Sequence, residues 1–135
     1  VNKFTDKLFL RALAPDELEA LGASDANYEV VSPFSYQSGI LGQITVPAGL
    51  VTDFASIPRG LWSLLDPEDP VILFPSVIHD YLYTAAGKLP NGITYTREDA
   101  DGVLKEAMGV CGASNWKQET VYIAVRSFGG SHWAT

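Results

Sequence analysis

His79 sits inside an apolar run, Val77-Ile78-His79-Asp80-Tyr81-Leu82-Tyr83. Histidine is the side chain best placed to take a proton near neutral pH. To serve as a base it needs a carboxylate holding its other ring nitrogen. On a helix, His79 and Tyr83 share one face and Asp80 points about a quarter-turn away. Asp101, 22 residues after His79, opens the next helix-like segment. It is expected to orient the ring if helices over 76–86 and 97–109 pack antiparallel, with Tyr83 donating a hydrogen bond to it. The expected catalytic set is therefore His79, Asp101 and Tyr83. Asp80, and Asp53 in Val51-Thr52-Asp53-Phe54-Ala55-Ser56, are candidate ligands for Ca²⁺ or another divalent cation. Such a cation would polarise an ester or amide carbonyl while His79 activates water.

Each of these residues also has a structural reading. A histidine in an apolar helix can be a hydrogen-bonded core residue, because buried polar groups are normally satisfied. Asp101 can be a first-turn carboxylate favoured by the helix dipole, worth roughly 0.3–1 kcal/mol. Asp53 can close an Asx-turn. Asp80 can be solvated or lie near Arg97, and Tyr83 can simply pack. Arg59 and Arg126 are expected to pair with carboxylates. His132, in a Gly-Gly-Ser context near the end, is expected to be exposed.

The elements that must position these groups follow from pattern and punctuation. Residues 7–13 read as a strand, and Ala14 to Gly22 as a short helix or a loop that stops at Gly22. Strands are expected at 28–31, 34–36 and 43–46, with a turn at Ser38-Gly39 and a restart at Leu50-Val51. After Pro58 the pattern becomes helical. A helix begins between Val71 and Ser76 and ends near Ala86, with Gly87 just past its end. Pro75 as a first-turn residue favours the later start. Thr96-Arg97-Glu98-Asp99 resembles a capping box. Ala100, Val103, Leu104, Ala107 and Met108 then form one apolar stripe. Asp101 falls at its border, about 20° beyond Met108 on a helical wheel. Ser114 caps a last helix with Val121, Ala124, Val125 and Phe128 inward. The sum is a single α+β domain, a small antiparallel sheet followed by about three helices.

Composition narrows the functions. The chain has 135 residues, right for one domain, and 47% are hydrophobic, enough for a core. Charged residues make up only 19%, which points to a surface covered by a partner. A net charge of −7 with nine scattered Lys and Arg residues excludes a nucleic-acid binder. That acidity tolerates a divalent cation or a basic partner and argues against unassisted binding to anionic membranes, while leaving a local membrane or envelope contact open. The single cysteine, Cys111, cannot form an internal disulfide and is expected to be buried. The first residues are too polar for a signal peptide, and no apolar run is long enough to span a bilayer.

Two resemblances rest on quoted residues. Val46-Pro47-Ala48-Gly49, Thr52-Asp53-Phe54-Ala55-Ser56-Ile57-Pro58-Arg59, His79-Asp80-Tyr81-Leu82-Tyr83, Arg97, Ala100-Asp101, Ala107-Met108, Ala124-Val125-Arg126, Phe128-Gly129 and Trp133 span roughly residues 28–133. Together they resemble a small domain family of unknown function from tailed bacteriophages and prophages. This implies a phage source, other phage proteins as partners, and residence in the host cytoplasm or the virion. Locally, the His-Asp pair, the tyrosine four residues after the histidine and the aspartate 22 after it are similar to calcium-dependent phospholipases of the short viral type. That likeness implies a base role for His79, Ca²⁺ binding for Asp80, an orienting role for Asp101 and a supporting one for Tyr83. The sequence departs from those enzymes upstream, where no glycine-rich calcium loop stands.

Two functions follow. One is a phage-encoded hydrolase acting on a lipid or cell-envelope ester or amide. The other is a non-enzymatic tail, baseplate or capsid component in which the same residues form a structural polar network.

Overall fold

Turns cut the first half of the chain into short strands. The computed structural model describes residues 2–22, 27–52, 61 and 70–134. Lys3–Phe4 (β1), Phe34–Ser38 (β4) and Gly42–Val46 (β5) form one antiparallel sheet in the order β1-β4-β5. Leu10–Ala12 (β2), Tyr28–Val30 (β3) and Val51–Thr52 (β6) form a second, in the order β2-β3-β6. The expected single sheet is thus two. The β4–β5 hairpin pairs Phe34 with Val46, Tyr36 with Ile44 and Ser38 with Gly42. Gly42 takes a positive φ of 78° at the turn, a conformation glycine adopts without steric cost. Alternation does the rest: Phe34, Tyr36, Ile44 and Val46 are buried, while Gln43 and Thr45 face outward.

Helix α1 (Pro15–Leu21) is short and stops at Gly22, in the left-handed region. Helix α2 (Pro70–Ala85) begins a turn earlier than Pro75 suggested, and Pro75 lies inside it, buried. Pro75 cannot donate to the preceding turn, but burial of Ile72, Val77, Ile78 and Leu82 holds the helix through it. Ala86 (φ 50°) and Gly87 (φ 105°) end the helix in the left-handed region. A Cβ on Gly87 would stand 3.1 Å from the Tyr95 carbonyl, so glycine fits that close approach. Helix α3 (Arg97–Val110) opens with the capping box of Thr96 and Asp99. The expected stripe, Ala100 to Met108, is fully buried. Helix α4 (Asn115–Phe128) buries Val121 and Val125, but Phe128 is 70% exposed, because the chain turns there into a 3-10 segment, Gly129–His132. Cys111 is half-buried rather than sealed in the core, since it stands just past the end of α3. Among the described residues no helix is long and apolar enough to cross a membrane.

The helices pack as α2 on α3 and α3 on α4. Ile72, near the start of α2, joins a cluster with Leu104 and Met108 of α3, while Tyr83 meets Arg97. The two helices therefore run antiparallel, as the candidate site requires.

Candidate functional site

Helical spacing puts His79 and Tyr83 on the face of α2 that meets α3. Asp101 projects back at them from the second turn of α3. His79 and Asp101 are both 0% exposed, and Tyr83 is buried beside them. His79 Nε2 lies 2.7 Å from Asp101 Oδ1, and the Tyr83 hydroxyl donates to the same oxygen at 2.5 Å. The His79 and Tyr83 rings are 4.2 Å apart between centroids.

Two arginines close the other side of the carboxylate. Arg126 Nη1 donates to Asp101 Oδ2 at 2.9 Å. Arg97, one turn before Asp101, has Nη1 3.7 Å from Oδ2. The same guanidinium donates to the Tyr83 hydroxyl (3.2 Å) and to the carbonyls of Val125 and Arg126 (3.1 Å each). Those carbonyls belong to the last turn of α4, where that of Val125 also accepts from the Gly129 N–H. Arg97 therefore ties the end of α4 to the site. Gly129 follows directly: a Cβ there would stand 2.8 Å from the Tyr83 hydroxyl and 3.4 Å from Arg97 Nη1. Trp133 meets the Tyr83 ring edge-on at 5.3 Å.

The electrostatics follow from these contacts. Burial acts to raise the Asp101 pKa, but hydrogen bonds from His79, Tyr83 and Arg126 outweigh it, and the carboxyl sits below its ordinary range. Asp101 is therefore a carboxylate at neutral pH, and His79 Nε2–H donates to it. Burial and the bond to Asp101 push the Tyr83 phenol well up, so it stays a donor.

His79, Asp101 and Tyr83 are thus brought together. Asp80 is half-buried on α2, off that face. Asp53 and Arg59 lie outside the described residues. Among the described residues no group of three or more His, Cys, Asp or Glu side chains could hold a metal ion. Asp80 supplies one carboxylate, against roughly six to eight oxygens that Ca²⁺ takes. The described residues do not make a calcium shell. His132 is exposed, as expected.

Sequence reasoning missed the double role of Arg97. The signal was there: Arg97 and Asp101 are four apart on one helix. It also missed Glu106, the second carboxylate anchored on α3. Glu106 accepts hydrogen bonds from the Tyr36 hydroxyl (2.7 Å), the Ser38 hydroxyl (2.8 Å) and the Gly39 backbone N–H (3.1 Å).

Comparison with known proteins adds the family. The chain is 31% identical over 103 residues to the uncharacterized protein y4jT of Sinorhizobium fredii. That alignment covers 76% of this chain but only 29% of the relative, so the chain spans less than a third of that protein's length. No solved structure matches the chain. Residues 28–125 match a family described as protein of unknown function (DUF1353), and this match takes in β3 through most of α4, with His79, Tyr83, Arg97 and Asp101 inside it. The chain belongs to the DUF1353 family.

Proposed function

We propose that this is a phage-encoded hydrolase in which His79 activates water against a lipid or cell-envelope ester or amide. One observation carries the reading: His79 Nε2 is 2.7 Å from a carboxylate that Tyr83 and Arg126 also hold. A ring so oriented takes a proton from water at Nδ1, and the hydroxide adds to the substrate carbonyl. Asp101 stabilises the imidazolium that forms. The imidazolium then returns its proton to the departing alkoxide or amine as the carbon–heteroatom bond breaks. No step needs a metal, and a role for Asp80 in holding one is decided by assay with and without Ca²⁺. Because the ring is fully covered, turnover requires local opening to admit substrate. A phage or prophage source fits a relative in a bacterial genome.

Full coverage also favours a second reading, a virion accessory subunit in which the network fixes the helix pair. Among the described residues no buried side-chain nitrogen or oxygen lacks a partner, as that role requires.

The test is release of fatty acid from phospholipid vesicles, and of new amines or carboxylates from peptidoglycan. The hydrolase reading expects turnover that His79→Ala and Asp101→Asn abolish or cut severely while circular dichroism stays native. Absence of turnover on both substrates, with the chain found at fixed stoichiometry in purified virions, overturns it and leaves the scaffold.

A further inference from the structure

Strand β5 is the outer strand of its sheet, paired on one side with β4, and among the described residues no strand lies beyond it. Backbone N–H and C=O groups alternate sides along a strand, so only every second residue of β5 bonds to β4. The contacts of Ser35 fix which ones. Its carbonyl accepts from the Thr5 N–H at 3.1 Å, and its N–H donates to Asp6 Oδ2 at 3.0 Å, both on the β1 side. Ser35 stands opposite Thr45, and Gln37, in the same phase, stands opposite Gln43. Ile44 and Val46 therefore make the ladder bonds, while Gln43 and Thr45 turn their N–H and C=O groups away from the sheet. The Ser35 and Thr45 hydroxyl oxygens, 2.9 Å apart, fit the close side-chain approach of a pair without ladder bonds.

A cleft of about 320 Å³ runs along that edge. Among the described residues it is lined by Gln43, Thr45, Tyr81, Leu89, Pro90 and Asn91. The two β5 residues in it are the two whose backbone turns outward. Tyr81 packs in the core with Ile44 and Val46, beneath the buried face of the sheet, whereas the Gln43 and Thr45 side chains lie on the exposed face. A cleft that touches all three passes the rim of the strand rather than lying over one face. Its far wall is already built. The Leu89 N–H donates to the Ile93 carbonyl and the Gly92 N–H to the Leu89 carbonyl, both at 2.9 Å. Asn91 Oδ1 accepts from the Ile93 N–H at 3.1 Å. This loop bonds to itself rather than to β5.

The edge selects its ligand by backbone geometry. Gln43 and Thr45 are two residues apart, about 6.8 Å along the strand, the repeat at which an extended peptide presents its own N–H and C=O groups on one side. Such a peptide bonds through its main chain and is discriminated by alternate side chains. A second folded copy would bring its own 89–91 wall into the space its β5 must cross, so the occupant is a flexible segment.

We propose that the cleft takes an extended peptide segment of a partner protein as a strand added to β5. The backbones of Gln43 and Thr45 bond its main chain, and one apolar side chain of the peptide rests against Leu89 and Pro90. The site is separate from the dyad and does not depend on its chemistry.

The test is NMR titration and amide hydrogen exchange of the ¹⁵N-labelled full chain with the capped peptide acetyl-Thr-Val-Thr-Val-Thr-amide. In the dilute chain alone, the Gln43 and Thr45 amides should exchange fast and those of Ile44 and Val46 slowly. The peptide should shift the Gln43 and Thr45 amides saturably and slow their exchange, with a dissociation constant on the order of a millimolar. Thr45→Pro removes one outward N–H and spares the β4 ladder, since proline is tolerated where an edge N–H faces outward. It should weaken binding about tenfold, the loss of one hydrogen bond. Thr45→Ala keeps the N–H and should bind like the parent chain. The same peptide with every peptide nitrogen methylated should not bind, and this arm decides the matter if Thr45→Pro fails to fold. No shift with the peptide overturns the proposal, as does equal binding by a folded Thr45→Pro chain or by the methylated peptide. Slow exchange at Thr45 in the dilute chain also overturns it. Protection that rises with protein concentration alone assigns the edge to a second copy and overturns it too.

Discussion

Helix α3 carries two anchored carboxylates, Asp101 and Glu106, and their surroundings differ in kind. Asp101 is sealed, with an imidazole, a phenol and two guanidinium groups around it. Glu106 is held by two hydroxyls and a backbone N–H from the β4–β5 hairpin. Glu106 meets neutral donors only in these bonds, so it joins helix to sheet and does nothing to a proton. Asp101 meets a group able to gain or lose a proton, and its other partners keep it ionised. The difference separates an anchor from a candidate site: both are satisfied, but only one holds an imidazole.

The largest expected effect breaks that contrast. Asp101→Ala leaves His79, Tyr83 and two guanidiniums without their shared acceptor. Urea denaturation should show a loss of about 3–5 kcal/mol, the cost of orphaning one side of a buried ion pair. A loss no larger than that of Glu106→Ala would erase the distinction. Next comes Gly129→Ala, whose Cβ would press on the Tyr83 hydroxyl. It should cost about 1–3 kcal/mol by overpacking. In a Tyr83→Phe background the cost should shrink, read as a coupling in a double-mutant cycle.

Glu106→Ala should cost about 1–2 kcal/mol, because the groups it abandons, the hydroxyls of buried Tyr36 and Ser38 and the N–H of exposed Gly39, are neutral donors. Its effect on any hydrolysis should be slight. The finest distinction is in acid. The Asp101 pKa is lowered on folding, by bonds from His79, Tyr83 and Arg126 that outweigh burial. Its contribution is therefore fully present above the unfolded carboxylate value of about 3.9. It is lost as pH falls from there through the depressed folded value. Denaturation midpoints measured across that window should fall less steeply for Asp101→Asn than for the parent chain.

Much of this was legible in the sequence because it is local. The spacing of His79 and Tyr83, the Thr96–Asp99 capping box and the stripe from Ala100 to Met108 all follow from helical periodicity. Asp101, placed at the border of that stripe, proves fully buried, since four partners from three helices cover it. What escaped depends on long-range pairing. Glu106 looks like any surface helix residue, and its partners lie far back, in and just after β4. The split into two sheets depends on which short strands pair, and β1 is two residues long. Pro75 misled because local preference gave way to burial of the surrounding helix. Phe128 continues the α4 pattern, but the chain changes course there.

The ring nitrogens of His79 offer the most direct check. Nitrogen-15 NMR of the imidazole distinguishes which nitrogen carries the proton in the neutral ring. With Asp101 ionised and accepting, the proton sits on Nε2 and the Nδ1 resonance moves on protonation. A neutral ring protonated on Nδ1, with Nε2 bearing the lone pair toward Asp101, would contradict the orientation on which the base role stands.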